Sequence, residues 1–335
     1  MFVPKDPQKD SLEDDLDLEL DFDLEKITAQ SREEALPDAD QVAAPNASAG
    51  TLDAIESIRE DDADSCIDSL ELIGNQVQSI WDRRSELNIP DNYREATKIV
   101  VVGMGGSVLG TKVILSLFRE QLQAPVEIVA DYGLPQYVDE NTVVIASSYS
   151  GNTEETLEAT REAHQRGALL TGLCAGGELA QFLHENEYPH LVFDTANNPS
   201  GVSRMGLGSA IAGQMVLFDA LGQIRFGEEE FAAVNDAIAD AQLQYSLAVP
   251  QAENPAKMLA LQCFRRMPKL LVAEHLAGAA DVFVHQLHEN GKTLAAYSVI
   301  PDMNHHELEA LAHPDTVKHQ LFVLGIDSPR YHQQN

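Results

Sequence analysis

Cationic side chains are scarce in this chain: 22 Lys and Arg stand against 54 Asp and Glu, a formal net charge of -32 over 335 residues. Affinity for nucleic acid comes mainly from lysine and arginine displacing counterions, so the deficit excludes DNA and RNA as general partners. Cysteine is rare too. Cys66, Cys174 and Cys263 are scattered, odd in number and without CxxC spacing, which argues against a disulfide framework or thiolate metal site and for reduced core thiols. No apolar run reaches the roughly 18 residues of a membrane span. The stretch 1–20 is acidic where a secretory signal would be basic and then apolar. A cytoplasmic protein without a membrane partner is the expectation.

What is present can build a large core. The chain is 44% hydrophobic, and its length suggests two domains. Residues 1–50 read as an acidic disordered tail; within it, 14–25 alternates acids with Leu16, Leu18, Leu20, Phe22 and Leu24. That pattern suits either a solvated extension or a strand added to a partner's sheet. Residues 51–222 read as an N-terminal helix plus a first domain. A stripe of Ile67, Leu70, Ile73, Val77, Ile80 and Trp81 predicts one helix over 65–87, as scaffold rather than site. Short β-branched runs at 99–102, 126–130, 142–146, 169–173 and 191–193 alternate with helical patterns, which predicts an α/β doubly wound parallel sheet. Helices are expected over 203–222 and 231–248. Residues 223–253 form a helical linker, with a hinge at 249–255. A second α/β unit, 254–335, has expected strands at 270–273, 295–299 and 320–324 and helices at 277–291 and 304–311.

Two loops carry the chemistry. Ser147, Ser148, Ser150, Asn152 and Thr153 crowd, with Gly151, between an apolar strand and an acidic helix. Free N–H groups and the positive dipole end collect at such a junction, and the hydroxyls add donors, so the segment reads as a cradle for a phosphate monoester. The competing reading is an ordinary Ser/Thr helix cap, but a cap needs one side-chain oxygen and this loop offers five. Upstream, Gly103-Met104-Gly105-Gly106-Ser107 follows a buried strand and invites a dinucleotide reading, and with it a nicotinamide-dependent dehydrogenase. The third glycine of that fingerprint falls where Val108 stands.

The serine-rich loop resembles that of the sugar isomerase (SIS) family of phosphosugar-binding domains. The run from Lys98 through Gly103 to Gly110 is similar to the first strand and loop of the bifunctional phosphoglucose/phosphomannose isomerases. The segments Asp131-Tyr132-Gly133-Leu134-Pro135 and Val138-Asp139-Glu140-Asn141-Thr142 are similar to that subfamily as well. The resemblance runs from about Thr51 to the end of the chain. It implies a SIS fold with a second SIS-like subdomain, a small-molecule sugar phosphate as ligand, no cofactor, and a homodimer. It also implies that Gly105, Gly106 and Ser107 wrap the sugar and join Ser148, Ser150 and Thr153.

His288-Glu289-Asn290-Gly291-Lys292 resembles the isomerases' Asn-Glu-Asn-x-Lys motif, and Asn304-His305-His306-Glu307 their Asn-His-Asn-Glu motif. Moving a proton between C1 and C2 of an open-chain sugar needs one base that takes and returns it, which a carboxylate can do through a cis-enediol. Glu289 is the candidate. Ring opening calls for a group that exchanges protons near neutral pH; His305 suits it, and the resemblance implies that it reaches across from a neighbouring subunit. Arg204 aligns with an active-site arginine that would stabilise enediolate oxygens, although Ser203 stands where the family usually has proline.

Plainer readings compete here: Glu289 and Lys292 as a surface ion pair, Arg204 as a loop-capping surface residue, and His285, His288, His305, His306 and His313 as a metal cluster, the last without an HExxH or carboxylate triad. The family continues past the position of Ser328-Pro329-Arg330, so the second subdomain is expected to be incomplete, without the threonine that the resemblance associates with accepting mannose 6-phosphate. A phosphosugar-binding sensor without turnover is the alternative function.

Overall fold

The computed structural model describes residues 52–335; the tail expected over 1–50, with its alternating stretch 14–25, lies outside them. Five strands, β1 (Lys98–Val102), β2 (Val126–Val129), β3 (Thr142–Ser148), β4 (Leu169–Cys174) and β5 (His190–Val192), form one sheet in the order β2-β1-β3-β4-β5, every pair parallel. Side chains alternate across a strand. Ile99, Val101, Val143 and Ile145 accordingly enter one core cluster, and Val100, Val102, Val144 and Ala146 another on the opposite face. Both faces are covered, so the strands are apolar throughout, as parallel strands are.

Ahead of the sheet come α1 (Ile55–Asp61), α2 (Cys66–Glu71), α3 (Ile73–Arg83) and the single turn α4 (Asp91–Arg94). The one helix expected over 65–87 is therefore broken at Leu72. Its stripe holds only from Ile73 onward, where Val77, Ile80 and Trp81 are buried. Leu70 is 57% exposed, and it is Ser69 that turns inward. Helix α5 (Leu109–Leu117) follows β1 and adds Ile114 to the first core; α6 (Glu154–Gln165) follows β3 and adds Leu157, Ala159 and Ala163 to the second. Helix α7 (Gly177–Glu185) joins the α6 face, while α8 (Leu207–Ala220) packs with α3 on the other.

Beyond α9 (Glu228–Tyr245), α10 (Pro255–Cys263) starts at Asn254, whose side chain accepts the Ala256 and Lys257 N–H groups at 3.0 and 3.1 Å, with Pro255 at the first helical position. A second parallel sheet, in the order β7-β6-β8, comprises β6 (Met267–Ala273), β7 (Ala296–Ile300) and β8 (Leu321–Gly325). Helix α11 (Ala277–Glu289) covers it with Ala280 and Val284 and also leans on α5. That contact is close: a Cβ on Gly278 would lie 2.4 Å from the Lys112 carbonyl oxygen and 2.6 Å from the Val113 Cα. The Lys112 ammonium meets the buried Asp281 carboxylate at 2.6 Å, and Tyr297 donates to the same carboxylate at 3.2 Å. The α-helix expected over 304–311 is absent; two 3-10 turns, Asp302–His305 and Leu308–Ala312, stand there, followed by the short α12 (Val317–Gln320). Among the described residues no helix is long and apolar enough to cross a membrane.

Candidate active site

The strand order creates the site. Strand β1 lies between β2 and β3, and the helices leaving β1 and β3 go to opposite faces, so a crevice opens between the carboxyl ends of these two strands, where doubly wound sheets bind ligands. Both chemistry-bearing loops enter it. A cavity of about 270 Å³ is lined by Gly105, Gly106 and Ser107 from the first, by Tyr149, Ser150 and Thr153 from the second, and by Arg204 and Glu289.

Gly151 sets the second loop. Its φ of 71° is left-handed, and a Cβ there would sit 1.8 Å from the Gly176 carbonyl oxygen, so only glycine fits. Ser148, buried beneath the cavity rather than lining it, accepts the Gly151 N–H at 3.0 Å and shares a 2.8 Å hydrogen bond with the Thr153 hydroxyl. Thr153 is thereby drawn away from capping: the N-terminus of α6 has no side-chain cap. The ordinary-cap reading thus does not describe this junction, and the first-turn amides remain available to an anion. Glu154 and Glu155 occupy that turn, but neither lines the cavity.

The first loop is braced from behind. The Ser107 hydroxyl accepts the Tyr149 N–H at 3.3 Å, and the Ser107 carbonyl accepts from the Ser147 hydroxyl at 2.6 Å and from the Gln214 amide. Gln214 is fully buried; it also donates to Ser147 at 3.0 Å and accepts from Thr111 at 2.7 Å. The Tyr149 hydroxyl accepts from Asn198 at 2.7 Å. Burial pushes that phenol up, against the lowering effect of Asn198, so it lines the cavity as a neutral group.

Arg204 sits in the 3-10 turn Ser203–Met205. The helices ahead of the sheet hold this segment: Ser69 accepts the Ser200 N–H at 2.9 Å, and Gln76 donates to the Met205 carbonyl at 2.9 Å and accepts the Gly208 N–H at 3.0 Å. Ser69 faces inward for this bond, which is why the apolar stripe fails there. Arg204 donates from Nε to Asn290 at 2.8 Å, so it is no free surface arginine. Glu289 closes α11 on the opposite wall. The ion pair of the plainer reading does not form: the Lys292 ammonium donates to the Glu289 backbone carbonyl, leaving the carboxylate to the cavity. His305 stands apart, exposed in the turn Asp302–His305 and outside the cavity lining. The five histidines do not gather as one cluster: His285 and His288 are neighbours on α11, with ring centroids 6.4 Å apart, but His288 lies against the backbone of Ala295 and His306 beside Asp302. Among the described residues no three His, Cys, Asp or Glu side chains come together as a metal site.

One cavity, therefore, brings together Gly105, Gly106, Ser107, Ser150 and Thr153 with Arg204 and Glu289, and leaves Ser148 underneath and His305 outside. Ser69, Gln76 and Gln214 support the site without having been singled out by sequence. For Gln214 a signal existed, since it is a lone amide inside the apolar run 210–218.

Residues 92–221 match the SIS domain, and residues 252–335 match the bacterial phospho-glucose isomerase C-terminal SIS domain. Both matched segments are thus of SIS type. This SIS-domain chain is similar to a bifunctional phosphoglucose/phosphomannose isomerase of Caldicellulosiruptor bescii, 29% identical over 265 residues that cover 78% of the chain and 76% of the relative. A protein of the same description from Thermoplasma volcanium is 29% identical over 240 residues, 70% of each chain. Among solved structures, tagatose-6-phosphate ketose/aldose isomerase from Escherichia coli aligns with a TM-score of 0.57 at 18% identity, over 79% of this chain and 72% of that one. That likeness shows the SIS fold, in agreement with the doubly wound parallel sheet and the second parallel sheet seen here.

Proposed function

We propose that this chain is a phosphosugar aldose-ketose isomerase acting on glucose 6-phosphate and fructose 6-phosphate. One observation carries the reading. A carboxylate, Glu289, and a guanidinium, Arg204, line the same small cavity as the uncapped, hydroxyl-rich helix start, so an anion-binding end and a proton-transfer end face one ligand. A volume of about 270 Å³ suits a single hexose phosphate. The similarity to relatives named bifunctional phosphoglucose/phosphomannose isomerase points the same way.

In this reading the phosphate rests on the α6 amides and on Ser150, Thr153 and Ser107, and the sugar carbons extend toward Glu289. The Glu289 carboxylate takes the proton from C2 of the open-chain aldose; the C–H electrons form the C1–C2 double bond and the carbonyl electrons move to O1. Arg204 stabilises the developing oxygen charge. The O2 proton passes to O1, the proton held by Glu289 returns to C1, and the ketose carbonyl forms at C2 as the C1–C2 double bond is lost. The planar enediol erases the C2 configuration, so mannose 6-phosphate is the further aldose the same step can yield. His305 would open the ring. Because it lies outside this cavity, a second copy of the chain would supply it, which makes the working enzyme a homodimer.

The position of His305 also favours the second reading, a sensor that binds a phosphosugar without turnover. A coupled assay separates the two. Fructose 6-phosphate should be converted to glucose 6-phosphate, and Glu289→Gln should lower kcat by at least about a thousandfold. Calorimetric binding of fructose 6-phosphate without conversion would instead establish the sensor.

A further inference from the structure

Arg204 and Glu289 come from different parts of the fold, one from the loop before α8 and the other from the end of α11, yet a ring of hydrogen bonds ties Arg204 to the residues flanking Glu289. Arg204 Nε donates to Asn290 Oδ1 at 2.8 Å, Asn290 Nδ2 donates to Gln286 Oε1 at 2.6 Å, and Gln286 Nε2 donates back to the Arg204 carbonyl at 3.4 Å. The polarity of this ring is fixed. A guanidinium is only a donor, so Asn290 must present its oxygen to it, its nitrogen must then find an acceptor on Gln286, and the Gln286 nitrogen is left for the carbonyl. Arg204 is held by side chain and main chain at once. With Nε committed, the terminal guanidinium nitrogens have, among the described residues, only the exposed Asp64 carboxylate nearby, at 3.9 Å. They remain for ligand oxygens in the cavity that Arg204 lines. Asn290 directly follows Glu289, and Gln286 lies one helical turn before it.

We propose that Asn290 and Gln286 are positioning residues that register the Arg204 guanidinium against the Glu289 carboxylate, so that base and electrophile move as one unit. This rests on the isomerase reading above. The physical reason is that an arginine side chain has large rotamer freedom, and a catalytic ion displaced by about 1 Å costs on the order of a hundredfold in rate. Fixing the arginine to the helix that carries the base removes the relative motion that matters most to an enediolate between them.

The test is a double-mutant cycle read in two ways: steady-state kinetics with fructose 6-phosphate, and calorimetric binding of a five-carbon phosphorylated hydroxamate that mimics the planar enediolate. Asn290→Ala should lower kcat roughly 30-fold with KM within about threefold, and weaken the hydroxamate by a similar factor. Gln286→Met should do the same to a smaller extent. In an Arg204→Met background, Asn290→Ala should change kcat and hydroxamate affinity by less than about twofold, because the group it positions is gone. Multiplicative effects of Asn290→Ala and Arg204→Met, or an effect of Asn290→Ala on KM alone, would overturn the proposal. Glu289→Gln separates this failure from that of the parent reading. If that variant loses turnover while the cycle is multiplicative, the isomerase stands and the positioning role falls. If that variant keeps full turnover, the isomerase reading falls, and the hydroxamate cycle still decides the coupling.

Discussion

Thr153 shows how a single hydroxyl changes the meaning of a helix start. In the usual arrangement its oxygen would cap α6; here it shares a hydrogen bond with the Ser148 hydroxyl, and the amides behind it are left for an anion. Thr153→Val, which keeps the shape and removes the oxygen, should therefore raise KM for fructose 6-phosphate about tenfold and leave kcat within about twofold, as loss of one charge-assisted hydrogen bond to a ground-state phosphate requires. Steady-state kinetics decide it; a fall in kcat at constant KM would place Thr153 at the reacting carbons instead. The cradle was legible in the sequence because hydroxyls, glycine, strand and helix start are neighbours along the chain. The Arg204 to Asn290 bond was not, since its partners are 86 residues apart and nothing local marks a donor for an acceptor so distant. Leu70 was misread for a related reason: helical spacing makes it as eligible for burial as Ser69, and the Ser200 N–H decides between them.

At the scale of elements, strands and most helices followed from β-branched runs and helical spacing, since packing on both faces of the sheet rewards those patterns. The segment 304–311 did not follow. Glu307, in the join between its two 3-10 turns, reaches under the second sheet to the nearly buried Lys269 and to Ser298, while Lys269 itself donates to Ser298 at 2.6 Å. Drawing that carboxylate inward holds the turns that carry His305 against β6 and β7, at the expense of a continuous helix. Burial works to raise the Glu307 pKa, but the Lys269 and Ser298 hydrogen bonds outweigh it and hold the carboxyl below its ordinary value. The sign is that of a depressed acid: its stabilisation is complete above the unfolded value, near 4.5, and is lost as pH falls through the lower folded value. Thermal melts should accordingly show wild type exceeding Glu307→Gln at pH 6 to 7, with the difference shrinking below about pH 4.5. A gap that stays constant into acid would mean the carboxylate contributes no pH-linked stability.

Over the whole molecule the composition and the site pull in opposite directions. A formal charge of -32 repels a sugar phosphate at a distance, while in the proposed site cradle hydroxyls, amides and Arg204 would attract it only at contact. Raising ionic strength from about 0.01 to 0.15 M shortens the screening length from about 30 to about 8 Å, which weakens the distant repulsion more than the contacts. KM for fructose 6-phosphate should fall over that range; a steady rise would show that local cations dominate capture. The doubly wound class was readable from the alternation of runs. The order β2-β1-β3 was not, because strand adjacency is settled by packing between segments rather than within them, and that order is what opens the crevice.

The glycine contact between α5 and α11 has a mechanical corollary. From Gly278 to Glu289 the helix climbs eleven residues, roughly 17 Å at 1.5 Å per residue. It behaves as a lever whose fulcrum is the place where no side chain intervenes between two backbones. A tilt of only about 3° there swings the far end through roughly 1 Å, the displacement at which proton transfer begins to fail. In the proposed isomerase, alignment at the hexose would thus be governed by how tightly two spirals are pressed together at the remote end of α11, in a spot that no inventory of reactive groups would include.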